Sequence, residues 1–302
     1  MTHTRFDLDR WIAEFPLVRL RQEAREFVTR RRAEVPREYP DEAAVERHVR
    51  LMMPHGEIVT SPVHMAVNEQ LRREAIGDTA RADAVPTDVF IMAVGEPPRR
   101  EATKVGGLPY WPVNRKWPAA RDGSPACFLA QINFADSRDL TGELPGEILA
   151  VFDCGEAWRG LESDELHFEW VTPSAHALIG TVPCAEKSPN AVFGVIHRTY
   201  DLREVPSALQ DSRSYSMNRL AVIQATKIGG LPPWTQPPAE LPGRYIATLG
   251  SVHPAHEIRF PFLNVEEPLS EYGDDHLMWG DVGNLYLFLQ NDGAVLGTID
   301  CY

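Results

Sequence analysis

Nine residues, Thr103-Lys-Val-Gly-Gly-Leu-Pro-Tyr-Trp111, recur as Thr226-Lys-Ile-Gly-Gly-Leu-Pro-Pro-Trp234, 123 positions later. Seven of the nine are identical, and Val105 to Ile228 is a conservative exchange. Weaker echoes follow. Phe128-Leu-Ala-Gln-Ile-Asn-Phe134 and Gly146-Glu-Ile-Leu-Ala-Val-Phe-Asp153 are answered by Tyr245-Ile-Ala-Thr-Leu-Gly250 and Gly283-Asn-Leu-Tyr-Leu-Phe-Leu289. Each half therefore reads as a Gly-Gly turn, a strand, a loop and a Gly-initiated strand. Two copies at so long a period predict a duplicated domain with a pseudo-twofold repeat, not a solenoid. The chain has 302 residues, enough for two such units.

The region before the repeat has a different texture. Leu17, Leu20, Ala24, Phe27 and Val28 form one helical stripe, which Pro36 closes. Asp41 is a candidate N-cap for a second helix, with Val45, His48, Val49 and Met52 on one face. Ser61 caps a third, with Pro62 at its first position, Val63, Val67 and Leu71 in line, and Gly77 as the stop. These stripes, with Trp11 and Phe15, need a surface to cover, so a docked helical layer is expected. From Thr87 onward short apolar runs alternate with Gly and Pro. Val89–Val94, Cys127–Phe134, Ile148–Cys154, Leu166–Val171, Ala221–Gln224, Tyr245–Leu249 and Leu285–Gln290 are expected strands. Pro206–Asn218 is expected to be an intervening helix or loop. The fold class is α+β, a duplicated and mostly antiparallel β core behind an α-helical extension. The divisions expected are 1–85 for the extension, 86–205 for the first repeat and 206–302 for the second.

Charge narrows the partners. Acids outnumber bases 43 to 30, for a net charge of −13. Beyond residue 100 the balance is 26 acids to 14 bases, and from Glu257 onward Arg259 faces nine acids alone. Such a surface repels phosphate backbones, so no nucleic-acid partner is expected. No apolar run is long enough for a membrane span and the first residues lack an apolar core, so a cytoplasmic location without membrane contact is expected. The four cysteines, Cys127, Cys154, Cys184 and Cys301, contain no C-x-x-C pair. Small buried apolar residues are their simplest reading.

The ordered motifs carry a family resemblance. Lys104-x-Gly-Gly-Leu-Pro-x-Trp, Trp117-Pro, Asp122-Gly, Leu129-Ala-Gln-Ile-Asn-Phe and Leu144-Pro-Gly come first. Lys227-Ile-Gly-Gly-Leu-Pro-x-Trp-x-Gln236 and Trp279-Gly-Asp-x-Gly283 follow. Over about residues 87–302 the chain resembles the YwqG-like family, a mostly bacterial domain of unknown function (number 1963). The resemblance implies a duplicated α+β domain and brings no catalytic residues with it. One departure is Leu249-Gly-Ser-Val-His253-Pro, where relatives carry a Gln-Ile-Asp-Ser-like strand end.

Only four of the 30 basic residues are lysine, and two of them, Lys104 and Lys227, hold the same repeat position. An ammonium beside backbone amides can hold an anionic ligand; a salt bridge to a strand-end acid would keep the same residue. Candidate ligand-binding residues are therefore Lys104, Trp111, Lys227, Trp234 and Asp281. Candidate metal ligands are His253, His256 and Glu257, although Pro254 spoils the helical spacing that makes paired histidines informative. No nucleophile elbow, P-loop or dinucleotide fingerprint is present, and no cofactor is expected. The leading functional reading is a non-catalytic binding or protein-interaction module for a small molecule or a protein. The alternatives are a hydrolytic or metal-assisted enzyme working in a cleft between the repeats, or a toxin-neutralising accessory protein.

Overall fold

A computed structural model describes residues 6–53, 61–77, 82–155, 163–184, 188–205, 220–237, 241–252 and 277–301. Among the described residues, four α-helices come first: α1 (Leu8–Glu14), α2 (Leu17–Glu34), α3 (Glu42–Met52) and α4 (Pro62–Ile76). The caps are those expected. Asp41 accepts from the Ala44 amide at 2.8 Å, Ser61 accepts from the His64 amide at 3.3 Å, and Gly77 ends α4 with φ of 76°. The short α1, capped by Asp7, lies within the expected helical extension and has too few turns for a periodic stripe to mark its bounds.

Ten strands follow among the described residues: β1 (Ala84–Val94), β2 (Lys104–Val105), β3 (Cys127–Asn133), β4 (Ile148–Asp153), β5 (Leu166–Val171), β6 (Val192–Leu202), β7 (Lys227–Gly229), β8 (Arg244–Gly250), β9 (Asn284–Leu289) and β10 (Val295–Asp300). They form one antiparallel sheet in the order β10-β9-β8-β7-β1-β6-β2-β3-β4-β5. The longest ladder lies at the centre, where β1 and β6 pair from Ala84–Leu202 to Val94–Val192. The sheet curls until its edges nearly meet. Trp170 of β5 donates its indole N–H to the Gly293 carbonyl in the β9–β10 turn at 3.2 Å, and Phe168 packs on Gly297 of β10. Curling suits a sheet of this width, because closing the edges hides their unpaired backbone groups.

Period-two alternation sorts the side chains by face. In β4, Leu149 and Val151 join Phe90, Ile132, Ile228, Ile246, Leu285 and Leu287 in the core inside the curl. Ile148, Ala150 and Phe152 point the other way, onto Tyr110, Trp111 and Phe128. Outward-facing Val89 and Ile91 of β1 are covered by Met65 and Ala66 of α4 and by Leu8. Leu17, Leu20, Val45, Val49, Val67 and Leu71 close over Leu202, Leu220 and Ala221. The helical layer is thus docked on the sheet. No helix among the described residues is long and apolar enough to cross a membrane.

One expected strand is absent. Ala221–Gln224 forms no ladder; Ala221 and Ile223 are buried as a turn and loop beneath the helices. Its apolar run reflects that cover and not strand pairing. Pro206–Asn218 lies outside the described residues, as do His253, His256 and Glu257.

Candidate functional site

Both copies of the repeat build a short strand that ends in a left-handed turn. Gly106 and Gly107 have φ of 62° and 66°, and Gly229 and Gly230 have φ of 69° and 68°. A side chain is excluded on two grounds. These angles disfavour L-residues, and a Cβ would drive into the Pro189 carbonyl at Gly106 or the Asp201 carboxylate at Gly230. The hydrogen bonds repeat as well. Thr103 and Thr226 accept through their carbonyls from Gly194 and Phe90, both at 2.9 Å. Their hydroxyls accept from the amides of Asn133 at 2.9 Å and Gly250 at 3.1 Å.

The lysines meet acids at strand ends. Lys104 Nζ lies 3.2 Å from Glu96 Oε2 and also donates to the Leu108 carbonyl, while the Leu108 amide donates to Glu96 Oε1 at 2.7 Å. Lys227 Nζ lies 2.6 Å from Asp201 Oδ2, which also accepts from the Leu231 amide at 2.8 Å. The other Asp201 oxygen accepts from the Ile223 amide at 2.9 Å. Both lysine side chains are 0% exposed, yet Glu96 is 42% exposed and Asp201 0%. Burial pulls each lysine below its ordinary pKa, and the partner acid opposes that shift. Two strands stand between β2 and β7, and the turns sit at opposite ends of the central ladder: Gly229 is level with Thr87, whereas Val105 is level with Val192 and so with Val94. The ammonium groups do not converge on one groove.

The remaining candidates are scattered. Trp111 is fully buried, edge-on to Trp117 and Phe152 at 5.6 and 5.2 Å, with the Arg115 guanidinium 4.8 Å over its ring. Trp234 is half-buried against Tyr286 and Phe288. Behind it, Asp300 accepts from the Thr235 and Gln236 amides and from the Tyr286 hydroxyl at 2.7–3.1 Å. Asp281 is exposed, next to Val282, whose φ is 53°.

A family model described as Domain of unknown function (DUF1963) matches residues 103–293, more than half of the chain. The chain belongs to this family. No curated protein matches it. The DUF1963 match takes in both Lys-x-Gly-Gly turns, and α1 to α4 lie outside it.

One of those outer helices brings buried polar groups to the DUF1963 core. His64, Asn68 and Arg72, at i, i+4 and i+8 on α4, are each less than 9% exposed, as is Glu69. The Ser61 hydroxyl and His64 Nδ1 are 2.7 Å apart. Arg72 donates to the Tyr200 carbonyl at 2.5 Å and stacks 4.6 Å over the Tyr200 ring. Among the described residues, Asn68 Oδ1, Glu69 Oε2 and Arg72 Nε find no hydrogen-bond partner. His197 of β6 faces Glu69, Arg72 and Arg73 of α4 and Asp88 of β1; burial lowers its pKa, while Glu69 works against that. The spacing 64, 68, 72 runs beside the apolar stripe 63, 67, 71, and that was the available signal. Charged residues at helical spacing ordinarily read as a solvated face. Among the described residues, no group of three His, Cys, Asp or Glu side chains is arranged to hold a metal ion.

Proposed function

We propose that this DUF1963 protein is a non-catalytic binding or interaction module on an internally duplicated scaffold. The observation that carries this reading is the internal ion pairing of Lys104 and Lys227, which assigns the motif to architecture. Of the five candidate ligand-binding residues, Trp234 and Asp281 retain access to solvent, which favours these two as the ligand contacts on this reading. The duplication has its own support. Counted outward from the centre, β1, β7, β8, β9 and β10 correspond to β6, β2, β3, β4 and β5. Both central strands have eleven residues, and the ladders carry matching irregularities at Phe128/Ala130 and Tyr245/Ala247. On this reading a pseudo-twofold axis passes between β1 and β6, each copy opens with its central strand, and the second begins at about Val192.

A thermal-shift and tryptophan-fluorescence screen of the full chain against anionic metabolites, oligosaccharides and peptides tests the function. A saturable response without turnover, weakened in Trp234→Leu, is the expected result. The enzyme reading has one observation in its favour, the buried polar groups of α4. Turnover of any screened compound that is lost in Glu69→Gln would overturn the non-catalytic assignment.

A further inference from the structure

Cys127 opens β3, and Cys184 lies in the loop ahead of β6, 57 residues further on. Their sulfurs are 2.7 Å apart, and the residues are 7% and 8% exposed. A disulfide bond is about 2.0 Å long, so closure asks for a displacement of under about 1 Å. The loop is fixed from several sides. Pro112 bridges to Leu178, the Val113 amide donates to Ala177 at 2.9 Å, and the Ile179 amide donates to Trp111 at 2.9 Å. Val182 packs on the Trp111 cluster, and the Ser188 hydroxyl donates to the Cys184 carbonyl at 3.2 Å. Tertiary structure therefore holds these two thiols together.

We propose that Cys127 and Cys184 form a reversible oxidation site that closes to a disulfide with a hydroperoxide as oxidant. One thiolate attacks the peroxide, the O–O bond breaks, and a sulfenic acid forms with release of water. The second thiol attacks that sulfur, the S–S bond forms, and the sulfenyl oxygen leaves as a second water. Two electrons pass from the thiols to the peroxide: two thiols and one hydrogen peroxide give one disulfide and two waters. A dithiol reductant reverses the step by exchange. Cys154 is less suited, because burial and then the Asp153 charge push its thiol pKa up and keep it protonated. The bond would staple the 172–184 segment across β3 and hold the cover over Trp111 in place.

The test uses the full chain, treated with stoichiometric hydrogen peroxide, alkylated and mapped by mass spectrometry. The expected product is a Cys127–Cys184 cross-linked peptide, lighter by about 2 Da than its reduced parts. A rise in Tm of about 5–10 °C, reversed by dithiothreitol, should accompany it. Cys184→Ser should lose both signals, and Cys154→Ser and Cys301→Ser should keep both. The proposal is overturned if both thiols of the native chain remain open to alkylation after peroxide, if either is found as sulfinic acid, or if Cys127 is joined to another cysteine. Mapping the native chain decides the question even where a serine variant folds poorly.

Discussion

The two Lys-x-Gly-Gly turns share sequence, backbone angles and a lysine–acid pair, yet they differ in what lies over them. The second is roofed by the helical layer, and both members of Lys227–Asp201 are cut off from water. The first lies against loop residues 189–191, and Glu96 keeps 42% of its surface exposed. The same motif therefore makes interactions of different weight. A carboxylate that reaches water can be resolvated when its partner is lost, whereas a sealed one is stranded. Burial of the acid, and not the motif, sets the energetics.

The comparison breaks most readily at Lys227. Lys227→Met leaves Asp201 as an uncompensated charge in the interior, and equilibrium urea denaturation should register a loss of about 3–5 kcal/mol. Lys104→Met should cost less, about 1–2 kcal/mol, because Glu96 turns to solvent while the Leu108 carbonyl loses a donor. A Lys104 variant as damaging as its counterpart would remove the contrast.

The roof itself supplies the smallest effect. His197, beneath α4, has a folded pKa lowered by burial. As pH falls below the ordinary value near 6.5, the unfolded chain takes up a proton before the folded one does. Stability should then decline until pH reaches the folded value and level off below it. Denaturation midpoints measured through this window should fall in the parent chain and fall less in His197→Gln. Identical profiles would place the histidine outside the roofed network.

Much of the architecture could be read before the fold was known, where local rules dominate. The caps at Asp41 and Ser61, the stop at Gly77 and the strand Leu166–Val171 rest on short-range chemistry and match the structure. The missed strands fail for tertiary reasons. β2 and β7 have only two and three residues inside what reads as a turn, β6 hides its pattern behind Gly194, His197 and Arg198, and β10 carries Gly297 in its middle. Gly194 is needed because a Cβ there would strike the Phe90 ring across the ladder. At the site, the pairing of two rare lysines with strand-end acids was one of two open readings. The sequence left the choice of acid open because Glu96 precedes its lysine by eight residues and Asp201 by 26. The polar face of α4 was invisible for a related reason: only the sheet beneath it makes that face an interior.

Paired double-mutant cycles measure whether one motif makes a strong pair under the roof and a weak one in the open. Lys227→Met with Asp201→Asn, and Lys104→Met with Glu96→Gln, would be compared by urea denaturation of the full chain. The prediction is a coupling of about 3 kcal/mol for Lys227–Asp201 and about 1 kcal/mol or less for Lys104–Glu96. Equal couplings, or a larger one at Lys104–Glu96, would contradict it.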